Sequence, residues 1–503
     1  LARSDLVRGY VEGYNHYLAE VGVDNLPDQR CRGKEWVRPI TERDVYLRAF
    51  HTVALTSAGW IGAMVAAVPP SKGEAGSGPA MDEGLGMPGG RITMSNVIAL
   101  GRDATDNGKG MVFINPHWRW HASERFFEVH MTVPGKLDVY GGTFAGNPLV
   151  LLGFNRHVAW SHTASVPRRE TVYQLRLTPG NPTSYEYEGT RRAMTSDVVT
   201  VTVREDDGRL TQRRHTFWRT HFGPVIVRPN LGWTDSTAYA IRSAITDVRW
   251  LNQHYEMNAA RSAEELDRAG RRYMALGWLN TIAADDQGRV IYGDRSSVPH
   301  VTDELQNACV TSELGKQLRA AGQLIVLDGW RRACEWGSDR DAPVPGIFGP
   351  KRLPALDRRD YATNSNDSHW ANHARQLLEG YPSIVGDERT QRSLRTRNGL
   401  AKIERRLAGA DGQPGSRFTL AQLEAITMDN RVFSAELWGD TLVAHCRTLP
   451  AGKGIPGACD VLARWDMTDD LDSPGAVLWR RFMENLSPAP QPDPALFVVP
   501  LDP

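Results

Sequence analysis

The sequence predicts an α+β fold, and three observations carry that expectation. Residues 1–68 place Val45, Leu47, Phe50, Val53 and Leu55 at helical spacing. From residue 96 onward, short apolar runs separated by Gly, Pro and Asn turns read as packed antiparallel sheet. The chain has 503 residues, 41% hydrophobic and 23% charged, long enough to bury a large core.

In chain order, the helical pattern begins with Leu6, Tyr10, Val11 and Tyr14. Residues 71–91 then carry 7 Gly with Pro79 and Pro88, a stretch too rich in backbone freedom for a packed element, so it reads as a linker or removable spacer. Strands are expected at 96–100, 111–114, 126–132, 149–152 and 158–161. Residues 171–246 continue as an all-β lobe, with alternation at 198–203. Helices return at 264–272, 393–407 and 420–426, the last after a loop at 413–416.

Charge and motifs exclude several classes. Lys+Arg and Asp+Glu are both 59, which gives no electrostatic case for nucleic acid or an anionic membrane. No run reaches the roughly 18–20 apolar residues of a membrane span. Gly84-Leu85-Gly86-Met87-Pro88-Gly89 fits a dinucleotide fingerprint in letters, but without a strand before it or a helix after it. Gly108-Lys109-Gly110 reads as a hairpin turn. There is no G-x-S-x-G elbow, no H-E-x-x-H helix and no metal-ligand spacing among the five cysteines, so no metal or cofactor is expected. Pairing of Cys309 with Cys334 and of Cys446 with Cys459, leaving Cys31 free, would suit an oxidising compartment; five buried thiols are the alternative.

A different hydrolytic route begins at Thr93-Met94-Ser95-Asn96, where the glycine-rich stretch meets the first strand. Cutting the Met94–Ser95 bond would give Ser95 both a hydroxyl nucleophile and a free α-amine with a pKa of about 7.7–8.0, suited to act as a base. Downstream, in order, come Asn115-Pro116-His117, Val139-Tyr140-Gly141-Gly142, Gly153-Phe154-Asn155-Arg156-His157, Trp160-Ser161-His162-Thr163, His221-Phe222-Gly223-Pro224, Gly277-Trp278-Leu279-Asn280 and Asn364-Ser365-Asn366-Asp367. With these motifs in register over nearly its whole length, the chain resembles the penicillin acylase family of N-terminal nucleophile (Ntn) hydrolases, in the branch of acyl-homoserine-lactone and aculeacin A acylases.

The resemblance implies an Ntn-hydrolase four-layer αββα sandwich with an added β-rich lobe around 171–246 and helical segments. Residues 1–68 would be the C-terminal helical part of a small subunit, 69–94 the spacer, and 95–503 the large subunit, giving a heterodimer of two chains cut from one precursor. Ser95 would be the nucleophile and His117 the histidine beside it. The Ala164 N–H and the Asn366 side chain would form the oxyanion hole, with Asn364 as the competing amide. Arg395, from the run Arg389, Arg392, Arg395 and Arg397, would orient that asparagine. Trp118 and Trp278, with Trp120 and Phe126 behind them, would wall an acyl pocket. The implied partner is a small N-acyl amide with an apolar acyl chain, such as an acyl-homoserine lactone or lipopeptide, or next a penicillin V-type side chain. The implied location is periplasmic or secreted.

Two departures qualify the match. Met94 stands where the family commonly has Gly, which predicts slow self-cleavage. The family pattern also extends beyond both ends of this chain, an expectation of truncation. A relative that binds acyl ligands without cleaving them is the competing reading, and a lectin-like β-sandwich fits residues 171–246 alone.

Overall fold

The computed structural model describes residues 4–55, 57–70, 94–118, 120, 123–449 and 456–486. The linker expected at 71–91, with the glycine motif of 84–89, lies outside the described residues. Three helices open the chain: α1 (Ser4–Val21), α2 (Glu42–Val53) and α3 (Ile61–Val65). Thr41 caps α2 in a reciprocal capping box with Asp44, which satisfies backbone donors that the first turn leaves free.

The next strands are β1 (Met94–Leu100), β2 (Met111–His117), β3 (Phe126–Val133), β4 (Leu137–Phe144), β5 (Leu152–Asn155) and β6 (Val158–Ala164). The strand expected at 149–152 is shifted. Leu149 and Val150 are buried in irregular backbone, and pairing with β4 starts only at Leu152. Apolar character there reports burial beneath helices, not strand geometry. Gly141 of β4 faces Gly153 of β5; a Cβ on Gly141 would collide with the Leu152 carbonyl and Gly153 Cα, so this crossing needs glycine.

The β-rich lobe holds β7 (Glu170–Thr178), β8 (Asn181–Tyr187), β9 (Thr190–Ala193), β10 (Thr195–Arg204), β11 (Leu210–Arg219), β12 (Val225–Ile226) and β13 (Thr237–Ser243). Then follow α4 (Trp250–Asn258), α5 (Ala263–Tyr273), β14 (Leu279–Asp285), β15 (Val290–Gly293), α6 (Asp303–Cys309), α7 (Glu313–Ala320), β16 (Val326–Asp328), β17 (Ala355–Arg358) and β18 (Tyr361–Asn364). The lobe is not confined to 171–246, because β16 joins β7 in parallel. The chain continues through α8 (Leu394–Leu407), α9 (Leu420–Met428), α10 (Phe433–Cys446), α11 (Pro456–Arg464) and α12 (Ala476–Glu484).

Strand alternation turns these elements into four layers. A sheet of order β18-β1-β2 packs face to face on one of order β17-β15-β14-β6-β5-β4-β3. Val97 and Ala99 of β1 point inward, against Ile282 and Ala284 of β14 and Tyr292 of β15. Ile98 and Leu100 point the other way, into a core with Leu400 and Ile403 of α8 and Leu423 of α9. The outer face of the larger sheet, through Trp160 and Ala283, packs on Met257 of α4 and Leu266 of α5. The αββα sandwich implied by the sequence is thus present.

Disulfides join Cys309 to Cys334 and Cys446 to Cys459, and Cys31 is free. α2 packs with Phe144, Trp250 and Leu251 in a shared core, and Trp250 Nε1 donates to Ala49 O at 2.9 Å. Through Thr52 and Val53, α2 thereby becomes part of the wall around Ser95.

Candidate active site

Ser95 is the second residue of β1 and only 5% exposed. By alternation its side chain shares the inward face of Val97 and Ala99, and its cross-strand partner is Pro116. Its hydroxyl is met by Asn366, which β18 and a short turn deliver from 271 positions away: Asn366 Nδ2 donates to Ser95 Oγ at 3.2 Å, and Ser95 N donates to Asn366 Oδ1 at 2.6 Å.

The turn is built for this purpose. Asn366 sits at φ 69°, a left-handed conformation that Asn tolerates better than most residues, and its N–H donates to Asn364 Oδ1 at 2.9 Å. Asn364 itself is turned away, donating to Asp367 O and Asn372 Oδ1, so Asn366 and not Asn364 faces Ser95. Asp367 accepts from Ser393 N and Oγ at 2.8 Å, and Ser393 caps α8 by accepting from Thr396 N. This clamp sets Arg395, in the first turn of α8, beside the same loop.

Arg395 Nη2 donates to Ser95 O at 2.8 Å and to Asn96 Oδ1. Its Nη1 donates to Asn366 Oδ1 at 3.2 Å, to Ser365 O at 3.1 Å and to Met94 Sδ at 3.1 Å. Because Arg395 and Ser95 N are both donors, the amide end they meet is the oxygen, which leaves Nδ2 for the serine hydroxyl. The neighbouring arginines are engaged elsewhere: Arg389 pairs with Glu379, and Arg392 donates to Ser368 Oγ at 2.6 Å.

Ala164, the last residue of β6, is paired with Leu279. Ser165 N donates to Trp278 O, which makes Ala164–Leu279 a non-hydrogen-bonded pair, with the Ala164 N–H and C=O pointing away from β14. The C=O meets Asn366 Nδ2 at 3.2 Å. Arg169, almost fully buried, donates to Gly277 O at 2.6 Å and to Ser165 Oγ, bracing the segments that end at Ala164 and begin at Trp278.

His117 lies next to Ser95 along the strand pair but not on the face of its side chain. It is the cross-strand partner of Met94, one residue out of phase with Ser95, so it lies on the Arg395 face of the sheet. It is exposed, and among the described residues it makes no hydrogen bond to Ser95. Partial desolvation of its ring, and then the Arg395 charge, lower its pKa, favouring the neutral form.

Ser95, Met94 and Ala164 line a largely apolar cleft enclosing about 680 Å³, its open mouth included. Trp118 and Trp278 stack across it at 5.5 Å; Phe126 and Phe144 stand behind Trp118. Trp278 Nε1 reaches Thr52 O of α2 at 3.4 Å. Trp120 is excluded: the chain turns outward after β2 and leaves it 89% exposed. Sequence reasoning missed Phe144, His162 and His254 as cleft-lining residues. His162 was legible, since two positions before Ala164 on one strand it shares that residue's face. His254, one turn after Trp250 on α4, had no comparable signal.

The comparisons agree with this architecture. Residues 2–494 match the family model described as penicillin amidase, so the chain belongs to the penicillin amidase family. It is 43% identical over 498 residues to aculeacin-A acylase of Actinoplanes utahensis, covering 95% of this chain and 62% of that protein. It is 34% identical over 493 residues to the acyl-homoserine lactone acylase PvdQ of Pseudomonas putida, covering 97% and 61%. The chain therefore spans about three fifths of the length of the curated relatives it matches. A solved structure of a thermostable penicillin G acylase from Alcaligenes faecalis superposes with a TM-score of 0.54 at 19% identity, over 78% of this chain and 63% of that one, a likeness of fold.

Proposed function

We propose that the chain is the nucleophile-bearing part of a self-processing acylase that hydrolyses the amide bond of N-acyl substrates with an apolar acyl chain, such as acyl-homoserine lactones or lipopeptides, in keeping with relatives named acyl-homoserine lactone acylase and aculeacin-A acylase. The observation that carries this reading is the set of contacts converging on Ser95 beside an apolar cleft: Asn366 on its hydroxyl and nitrogen, Arg395 on its carbonyl, and Ala164 close by.

On this reading the Met94–Ser95 bond is cut, yielding two chains that stay packed together. The freed Ser95 amine takes the hydroxyl proton as Oγ attacks the substrate carbonyl. Asn366 Nδ2 and Ala164 N–H stabilise the oxyanion, each such donor contributing roughly 2.7–4 kcal/mol to the barrier reduction. The amine then protonates the leaving nitrogen, and water, activated by the same amine, releases the acid from the acyl-enzyme. Arg395 holds Asn366 in orientation, and His117 serves at the amine end of Ser95, beside the bond to be cut. Trp118 and Trp278 take the acyl chain, with about 0.8 kcal/mol for each CH₂ buried. Two disulfides support an extracytoplasmic location.

The test is the N-terminal mass of the purified protein together with hydrolysis of a long-chain N-acyl amide. A chain beginning at Ser95, active, with S95A uncut and inactive, is expected. An intact chain that hydrolyses the amide refutes self-processing, and an uncut chain that binds a fatty acid without turnover favours the binding-only alternative.

A further inference from the structure

A second cleft, of about 860 Å³ with its open mouth included, reaches the site at Asn366. Its walls are polar where the acyl cleft is apolar, and carry Arg168, Gln323, Asp367, Asp387, Thr390 and Arg392. Ser95 and Ala164 line the acyl cleft, while Asn366 and Val166 line this one, so the reacting centre stands where the two meet. A third cleft, lined by Asn96, Ile98 and Arg395, lies on the other face of β1, away from the Ser95 side chain. The charged groups of the second cleft are unequally committed. Asp367 accepts from Ser393 N and Oγ. Arg392 is buried, donates to Ser368 Oγ at 2.6 Å and to Thr390 O at 3.0 Å, and feels the Asp367 and Asp387 carboxylates. Arg168 is held by neutral groups only. Its N donates to Ile384 O at 2.9 Å, Nη2 to Gly322 O at 2.8 Å and Nη1 to Ser383 O at 3.4 Å, and among the described residues no carboxylate lies within ion-pair distance of it. A guanidinium has five N–H donors, so three are left at the wall of the cleft.

A substrate whose acyl chain lies in the apolar cleft, with its carbonyl carbon at Ser95 Oγ, must carry its amine half out of that cleft, and the adjoining space is the polar one. Ala164 and Arg168 are four residues apart, at most about 14 Å of backbone, so an amine half one or two residues long spans from the scissile nitrogen to the guanidinium. A planar fork of donors best meets a carboxyl-type oxygen, which accepts without bringing a donor of its own. A free carboxylate and an ester or amide carbonyl both present that oxygen, and Asp387 on the same wall works against only the former. We propose that this cleft is the amine-half subsite and that Arg168 recognises a carboxyl oxygen there, making amides of α-amino acids and their derivatives the preferred substrates over amides of plain alkylamines. The proposal rests on the acylase reading and names the class of its amine half.

The experiment measures kcat/KM of the processed protein on decanoyl amides of L-2-aminobutyric acid, of its primary amide, and of 3-aminopentane, in which an ethyl group replaces the carboxyl. At least one of the first two should exceed the third by about ten-fold or more, the size of one hydrogen bond to a charged group. An advantage confined to the free acid and falling with added salt identifies the ligand as a carboxylate; one kept by the primary amide at high salt identifies it as a carbonyl. R168Q should bring the ratio to within about three-fold of unity, and R168K, which keeps the charge without the fork, should retain part of it. A merely structural arginine would slow all three amides alike and leave the ratio unmoved. Equal rates on the three amides, or a ratio that survives R168Q, overturn the inference. If none of the amides is hydrolysed, the acylase reading fails, and the same compounds then serve as calorimetric ligands of the unreacting protein: tighter binding of a carboxyl-bearing amide, lost in R168Q, still supports the subsite, and equal binding overturns it.

Discussion

Replacing Asn366 by Gly isolates the amide side chain from everything else at the site. At φ 69° Gly is free of strain, whereas an L-residue without Asn's local hydrogen bonding costs roughly 1–2 kcal/mol there. The backbone N–H bond to Asn364 Oδ1 survives in Gly, so the turn keeps its internal support. What is lost is the 3.2 Å donation to Ser95 Oγ and the acceptor shared by Ser95 N and Arg395. If Nδ2 is an oxyanion donor, its loss raises the barrier by roughly 2.7–4 kcal/mol, a kcat lower by about 10²–10³ with KM little changed. The assay is steady-state hydrolysis of a chromogenic N-acyl amide by protein whose Ser95 terminus has been verified by mass; if N366G stays uncut, the two chains are co-expressed as separate polypeptides. N366A should lose the same activity and unfold earlier than N366G. A processed N366G protein within about ten-fold of the wild-type kcat would refute the oxyanion role.

Three further outcomes follow from the same geometry. In R395K a single ammonium replaces a fork that reaches Ser95 O, Asn96 Oδ1, Ser365 O and Asn366 Oδ1; kcat should fall by about ten-fold with KM within about two-fold, and an unchanged kcat would remove Arg395 as a positioning residue. Cys309 and Cys334 close a loop of sequence separation 25, for which chain entropy gives about 3.5 kcal/mol; denaturant unfolding of C309S/C334S should show a loss of that order, and identical midpoints would contradict it. Burial holds His162 and His254 at about 4 and about 3 against the ordinary 6.5, so their neutral forms favour the fold above pH 6.5, and that contribution is lost as pH falls towards 4 and 3. The unfolding midpoint should decline through that window, and ¹⁵N shifts showing either ring protonated at pH 6 in the folded protein would contradict the assignment.

Period and spacing made much of this legible. The short apolar run at 96–100 predicts β1 with Ser95 at its start, and the apolar spacing at 393–407 predicts α8 with Arg395 in its first turn. Neither periodicity nor spacing could bring Asn366 to Ser95, because that contact depends on β18 pairing with β1 across more than 260 residues. The resemblance to known acylases supplied that juxtaposition, and the Asp367–Ser393 clamp explains it physically. The same limits account for the misplacements. Leu149 and Val150 are apolar because α4 covers them, Trp120 follows a strand end where the chain turns outward, and His117 falls on the wrong face for the hydroxyl by one residue of register.

That one-residue offset bears on how Ser95 could be activated at all. A serine hydroxyl needs a base to attack an amide at neutral pH, and among the described residues no imidazole or carboxylate is hydrogen-bonded to Ser95 Oγ; its partner there, Asn366 Nδ2, is a donor. In the intact chain the Ser95 nitrogen cannot serve, because its lone pair is delocalised into the Met94 peptide bond. Every other component is already in place: Asn366 is fixed by Arg395 and Asn364, the Ser95 carbonyl is anchored by Arg395, and the Ala164 backbone is turned away from β14. On the proposed mechanism the uncut protein therefore lacks one thing, a nitrogen lone pair, and a single bond cleavage supplies it without rebuilding the site. Transferring a base from elsewhere should not substitute: with Ser95 kept in an uncut chain, a histidine introduced as P116H, on the Ser95 face, would have to restore amide hydrolysis for a conventional serine–histidine pair to be an adequate description, and the expected result is no turnover.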